Sequence, residues 1–231
     1  MKTLKKVIKK ILPLSNIESL RIDLNRIRGN LPIIVYTMGK VGSITTYKSL
    51  QSQIPNPIYH VHFLSHKEIN RIENKYSQAN AIPNPNQLNH FTSSKIIRSE
   101  ILNSKNKEKF KIISLTREPI SLKLSHFFQN PKVHRPHLVK YLNKEDIQGL
   151  TDYFLSELES SSYTPTWFDK EFKQFLEIDI YQYKFDSEKG YSIYYSDKFD
   201  ILLMRLEDLS ENFQEAIQNF LGINNSIKII R

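Results

Sequence analysis

Lys40 stands between Gly39 and Gly42, and Ser43, Ile44, Thr45 and Thr46 follow. Residues of these types at this spacing build an anion cradle. Glycine lets a backbone turn tightly and present its N–H groups. A helix beginning just beyond adds about half a positive charge and free donors. Lys40 adds a full charge. The expected contacts run over Lys40, Val41, Gly42, Ser43, Ile44 and Thr45, and they suit a phosphate-like ligand. A Walker-type nucleotide loop needs Gly-Lys followed at once by a hydroxyl residue for Mg²⁺. Here Val41 follows Lys40 and the first hydroxyl is Ser43, which argues against a standard kinase loop.

Two further groups carry chemistry. Arg117 ends the run Ile112-Ile113-Ser114-Leu115-Thr116, with Pro119 just after it and Ser125 eight residues on. Arginine forks onto phosphate with two donors. Ser121 lies one turn before Ser125 on the same helix face and is an alternative to it. Tyr59-His60-Val61-His62 places two imidazoles on one face of a strand, because strand side chains alternate. Histidine titrates near neutral pH, which suits a general base. His62, nearer the strand's carboxyl end, is the expected base and His60 its support; the reverse assignment stays open. A His-x-His pair is also two thirds of a zinc-type site. No third ligand adjoins it in sequence, although His66 and His90 exist.

These residues need elements to hold them. Strands are expected over 32–38, 58–63, 109–116 and 200–206. Helices are expected over 42–52, 65–76, 86–103, 119–129, 144–160, 166–176 and 210–221, the last ended by Gly222. Residues 131–143 read as a loop, 178–185 with 191–195 as a hairpin, and 227–230 as a last short strand. Strands alternating with helices argue a three-layer α/β fold around a central parallel sheet. Such sheets bind ligands at the carboxyl ends of their strands, where Lys40 to Thr45, the His60 and His62 pair, and Arg117 all fall.

The 231 residues suit one large domain. With 39% hydrophobic and 25% charged residues, a packed core is expected rather than disorder. Cysteine is absent, which excludes disulfides, thiolate chemistry and cysteine-based zinc sites and fits a reducing compartment. The net charge of +9 points to an anionic partner: substrate, membrane surface or nucleic acid. No apolar run is long enough to span a bilayer. Leu4, Val7, Ile8, Ile11 and Leu12 recur at helical spacing against Lys2, Lys5, Lys6, Lys9 and Lys10, and Pro13 closes the pattern. That is a basic amphipathic helix, either lying on an anionic membrane or packing on its own domain. It has no signal-peptide cleavage pattern. The expected organisation is a helical segment over 1–30 and an α/β domain over 31–231. The expected location is cytoplasmic, with contact at the inner membrane face through 2–12.

The stretch Lys40 to Thr45 resembles the 5′-phosphosulfate loop of sulfotransferases, usually Lys-x-Gly-[Ser/Thr]-[Ser/Thr]. The strand ending at Arg117, with Ser125 eight residues later, resembles their 3′-phosphate motif. His60 and His62 are similar to a His-x-His pair in sulfotransferases acting on heparan-type glycans. Similarity extends through Val35–Leu50, Tyr59–Ser65, Ile112–Asn130, Trp167–Gly190 and Leu202–Leu209. More particularly, the chain looks like bacterial sulfotransferase-like and capsular polysaccharide synthesis proteins. The resemblance implies a P-loop-like sulfotransferase fold. It implies transfer of a sulfuryl group from 3′-phosphoadenosine 5′-phosphosulfate to a hydroxyl of a carbohydrate or capsular polysaccharide. Lys40 and residues 41–45 would hold the phosphosulfate, Arg117 and Ser125 the 3′-phosphate, and His62 or His60 would take the acceptor's proton. Neither metal nor nucleic acid is implied. Two departures stand out: Ile44 replaces a usual hydroxyl, and no Arg-Lys-Gly segment that closes over the 3′-phosphate is present. Competing readings are a P-loop-type kinase or nucleotide hydrolase, marked by Mg²⁺ and ATP dependence, and a non-enzymatic basic membrane- or nucleic-acid-binding module, marked by steep salt dependence.

Overall fold

Ile33-Ile34-Val35-Tyr36 is buried at every position rather than every second one, the pattern of a strand covered on both faces. In the computed structural model this segment is β1 (Ile33–Tyr36). It lies in one sheet with β2 (Ile58–Val61), β3 (Phe110–Thr116), β4 (Tyr191–Tyr195) and β5 (Phe199–Arg205), in the order β2-β1-β3-β5-β4. The first four strands of that order run parallel, and β4 pairs antiparallel on the edge beside β5. The structure describes residues 29–78, 85–104, 109–129, 131–160 and 163–230, with a few residues between 20 and 27. The expected amphipathic helix over 2–12 lies outside the described residues.

The connections are helical. They are α1 (Ser43–Gln53), α2 (His66–Gln78), α3 (Pro85–Asn103), α4 (Pro119–Phe127), α5 (Pro131–His134), α6 (Leu138–Lys144), α7 (Ile147–Ser160), α8 (Tyr163–Phe168) and α9 (Leu209–Leu221). The helix of α8 widens into a π-helix over Asp169–Leu176. The architecture is thus α/β, as expected, with a mostly parallel central sheet. Gly222, at φ 68°, ends α9 as a left-handed cap.

Strand order sets the position of the site. From β1 the chain crosses through α1 to β2 on one side, then returns through α2 and α3 to β3 on the other side of β1. The reversal makes the gap between β1 and β3 a topological switch point, where α/β sheets open a crevice beyond their carboxyl ends. Register aligns those ends: Val35 lies opposite His60 on one side and Ile113 on the other.

Three expectations fail. Residues 178–185 form no strand; they hold a 3₁₀ turn at Ile180–Gln182 capped by the Asp179 side chain. The partner of β4 is β5, across a tight turn in which Ser196 N–H and Oγ both donate to the Phe199 carbonyl. Residues 131–143 contain α5 and most of α6, and Pro131 at the first helical position starts α5 instead of breaking it. Residues 227–230 pair with no strand. Gln53 brackets Lys228 through both its N–H and its C=O, and Ile227 is buried in the core.

Candidate active site

The loop after β1 has the backbone geometry of a concave nest. Lys40 takes a left-handed φ of 67° and Gly42 one of 82°, with Val41 between them outside that region. Alternating hands of this kind turn successive N–H groups toward one concavity. Gly42 then caps α1 with no side-chain hydrogen bond, so the first N–H groups of that helix have neither an intrahelical partner nor a capping oxygen. A side chain at Gly42 is strained by its φ, and an added Cβ would press on the movable tip of Leu206, whose Cδ1 would lie 2.5 Å away. Lys40 projects into solvent, Ser43 and Thr46 are buried, and Thr45 is half-buried. Ile44 is 56% exposed and faces the cavity, so the departure from the hydroxyl pattern puts an apolar group at its mouth.

Arg117 emerges from β3 beside this loop, and its guanidinium donates to the Lys40 carbonyl at 3.1 Å. The two motifs therefore meet at the switch point. Glu207 fixes the turn by accepting from the Glu118 N–H at 2.9 Å. The Glu118 carboxylate accepts from the N–H groups of Ile120 and Ser121, and those bonds hold its pKa below the usual range. The start of α4 is thus already capped by an anion. Ser125 lies half-buried near the end of α4. The next residue, His126, packs on Gly39, with its Cε1 3.2 Å from where a Cβ would stand. Burial, then the charges of Arg135 and Lys40, hold His126 down to about 4 despite its hydrogen bond to Gly39. Nothing in its spacing marks this histidine.

The His60 and His62 rings are 4.8 Å apart, and α3 brings His90 to 4.4 Å from the first and 4.8 Å from the second. His62 lies just past the end of β2, with Nδ1 2.8 Å from the Thr37 carbonyl. A carbonyl only accepts, so Nδ1 carries the proton and Nε2 the lone pair. By the same argument His90 donates through Nδ1 to the His60 carbonyl at 3.0 Å. Burial, followed by the other histidines, pulls His62 down to about 3 and His60 well below its ordinary value. All three rings are neutral at physiological pH.

One cavity of about 570 Å³ is lined by Gly39, Ile44, His62 and His90, while Lys40, Arg117, Ser125 and His60 do not line it. Arg71, Lys75, Lys123, His134 and Arg135 form its basic wall. Glu157 offsets Arg135 at 2.9 Å, and Glu68 offsets Arg71 at 2.7 Å. Lys75 keeps an excess of positive neighbours: burial first, then Arg71 and Arg135, lowers its pKa.

The C-terminal half supplies the supports. Trp167 Nε1 donates to the His62 carbonyl at 3.1 Å. Glu171, fully buried, accepts from the Tyr36 hydroxyl, from Leu64 N–H at 2.6 Å and from Ser65 N–H at 3.0 Å. Tyr36, Trp167 and Phe172 form an aromatic cluster with centroids 5.2–5.5 Å apart, Tyr36 stacked on Phe172 and edge-on to Trp167. The π-helix thus ties the ends of β1 and β2 together, a setting in which such widened turns recur. A family described as "putative capsular polysaccharide synthesis protein" matches residues 141–231. No curated protein and no solved structure matches the chain. The matched segment is similar to that family over about two-fifths of the chain, and it carries Trp167, Glu171 and Glu207. The loop at Lys40, the three histidines and Arg117 precede it. Among the described residues no helix is long and apolar enough to cross a membrane.

Proposed function

We propose that the protein is a sulfotransferase that moves a sulfuryl group from 3′-phosphoadenosine 5′-phosphosulfate to a glycan hydroxyl. The observation that carries this reading is the meeting of the Lys40 loop with Arg117 at the β1/β3 switch point, beside a cavity lined by His62. A cofactor with two separated phosphate groups calls for two cationic subsites at one crevice. The family described by capsular polysaccharide synthesis supports a carbohydrate acceptor. The basic wall at Arg71, Lys75 and Lys123 favours an acceptor that is itself anionic.

In this mechanism the acceptor oxygen attacks sulfur as the bond to the bridging oxygen breaks. The hydroxyl proton passes to His62 Nε2, and 3′-phosphoadenosine 5′-phosphate leaves. Lys40 and the N–H groups of residues 41–45 stabilise the charge building on the leaving oxygen. Arg117, with Ser125 or Ser121, holds the 3′-phosphate. The Thr37 carbonyl fixes the His62 tautomer, and burial keeps the ring unprotonated. The incoming negative charge of the donor raises His62 back toward a useful basicity.

The test is transfer of labelled sulfate from the donor to a uronic-acid-containing polysaccharide. Sulfate esters form with the native protein and vanish with His62→Ala, which retains nucleotide binding. If His60→Ala has that effect and His62→Ala does not, the roles are exchanged. Phosphate transfer from ATP with Mg²⁺, and none of sulfate, would establish the kinase alternative.

A further inference from the structure

We propose that His60, His62 and His90 form a binding site for one divalent transition-metal ion of the zinc class, with its open coordination position facing the cavity. The inference goes beyond sulfuryl transfer and does not depend on it.

A nitrogen of each ring lies within 4.8 Å of the others. His60 is only 7% exposed, and its Nε2 is buried with no hydrogen-bond partner among the described residues. A buried acceptor or donor left unmatched costs free energy, so something that binds lone pairs is favoured there. His62 and His90 each spend Nδ1 on a backbone carbonyl. That bond is the outer-sphere contact that orients metal-binding imidazoles, and it leaves Nε2 as the available ligand on both rings. All three rings are held neutral by burial, the form a metal requires.

The donor set also selects the ion. Three imidazoles with neither thiolate nor carboxylate suit Zn²⁺, Co²⁺, Ni²⁺ or Cu²⁺, and not Mg²⁺ or Ca²⁺. Three protein ligands leave the fourth tetrahedral position open, as in catalytic rather than structural zinc sites. His62 and His90 line the cavity, so that position points toward solvent and substrate. Bonds of about 2.0–2.1 Å place tetrahedral nitrogens roughly 3.4 Å apart, so loading draws the rings inward by side-chain rotation.

The two readings meet at His62. A ring bound through Nε2 cannot also take the acceptor's proton, so an oxygen in the open position, made more acidic by the ion, would then be the activated group.

The experiment uses the full chain without an affinity tag, stripped with chelator and titrated with Co²⁺ and Zn²⁺. The expected result is one equivalent bound, a visible Co²⁺ absorption of low-symmetry coordination, and a raised melting temperature. His90→Ala and His60→Ala each weaken binding more than 100-fold, since even outer-sphere partners of a ligand are worth about 10–100-fold. The Co²⁺ spectrum is read on the unaltered protein, so it does not depend on the variants folding. No stoichiometric binding and no visible band would overturn the site. So would binding undiminished in both variants, which would place the ion on other surface histidines. Binding of 3′-phosphoadenosine 5′-phosphate to the stripped protein is measured alongside. If it is kept while metal binding fails, only the metal site falls. If it is lost while metal binds, only the transferase reading falls.

Discussion

At Lys40 two properties coincide: a charge that the proposed transfer would set against its leaving oxygen, and a backbone held in the left-handed region at φ 67°. In the proposed transfer that charge would act mainly in the transition state, on an oxygen that becomes negative only as the bond breaks. Lys40→Ala is therefore expected to lower kcat by about 10²–10³-fold, with a smaller change in nucleotide affinity. Steady-state turnover set beside calorimetry separates the two. Gly42 tests the backbone. Gly42→Ala forces φ 82° on a residue with a Cβ and presses it on Leu206, at a cost on the order of 1–3 kcal/mol. The Leu206 tip can swing away but the φ cannot change, so Gly42→Ala with Leu206→Ala recovers little of the lost melting temperature. Full recovery would mean that contact, not conformation, requires the glycine.

Elements differ in how far the sequence exposes their partners. The Lys40 loop and the strand to Arg117 are legible because their chemistry is local: glycine, lysine and a helix start lie within a few residues. Apolar runs such as Ile201-Leu202-Leu203-Met204 announce a buried strand. Glu171 was not legible, and His90 stood only beside His66 as a histidine distant from the pair in sequence. Their partners lie at Tyr36 and His60, far away in sequence, and only crossover topology brings them together. The alternation at 178–185 misled because a half-buried irregular segment can alternate too, while Asp179 turns the chain. The π-helix carries its own prediction. Glu171→Ala leaves the Tyr36 hydroxyl and the N–H groups of Leu64 and Ser65 without an acceptor, and is expected to cost about 3–5 kcal/mol in chemical denaturation. Trp167→Phe removes only the bond to the His62 carbonyl while keeping most of the packing. It should reduce turnover more than stability; an equal fall in both would make Trp167 a packing residue only.

Over the whole molecule, neutral buried histidines make the fold acid-sensitive. His126 is held down to about 4 against about 6.5 in an unfolded chain. A folded-state pKa below the unfolded one stabilises the protein fully above pH 6.5, and that contribution is lost as pH falls toward 4. For His126 alone it is on the order of 3 kcal/mol. Melting curves in chelator should fall between pH 7 and pH 4.5, and His126→Asn should flatten that fall. Parallel profiles for the two proteins would remove His126 from the account. The net charge of +9 adds general acid repulsion, but both proteins share it, so the comparison isolates the histidine.

The crevice is proposed to bind an adenosine nucleotide through two phosphate subsites, one at Lys40 to Thr45 and one at Arg117. Calorimetry with 3′-phosphoadenosine 5′-phosphate, on the native protein and on Arg117→Ala, tests it most directly. One site is expected in the native protein and an affinity about 10–100-fold weaker in the variant, the worth of charged hydrogen bonds to a phosphate. Absence of binding in the native protein, or equal affinity in the two, would contradict it.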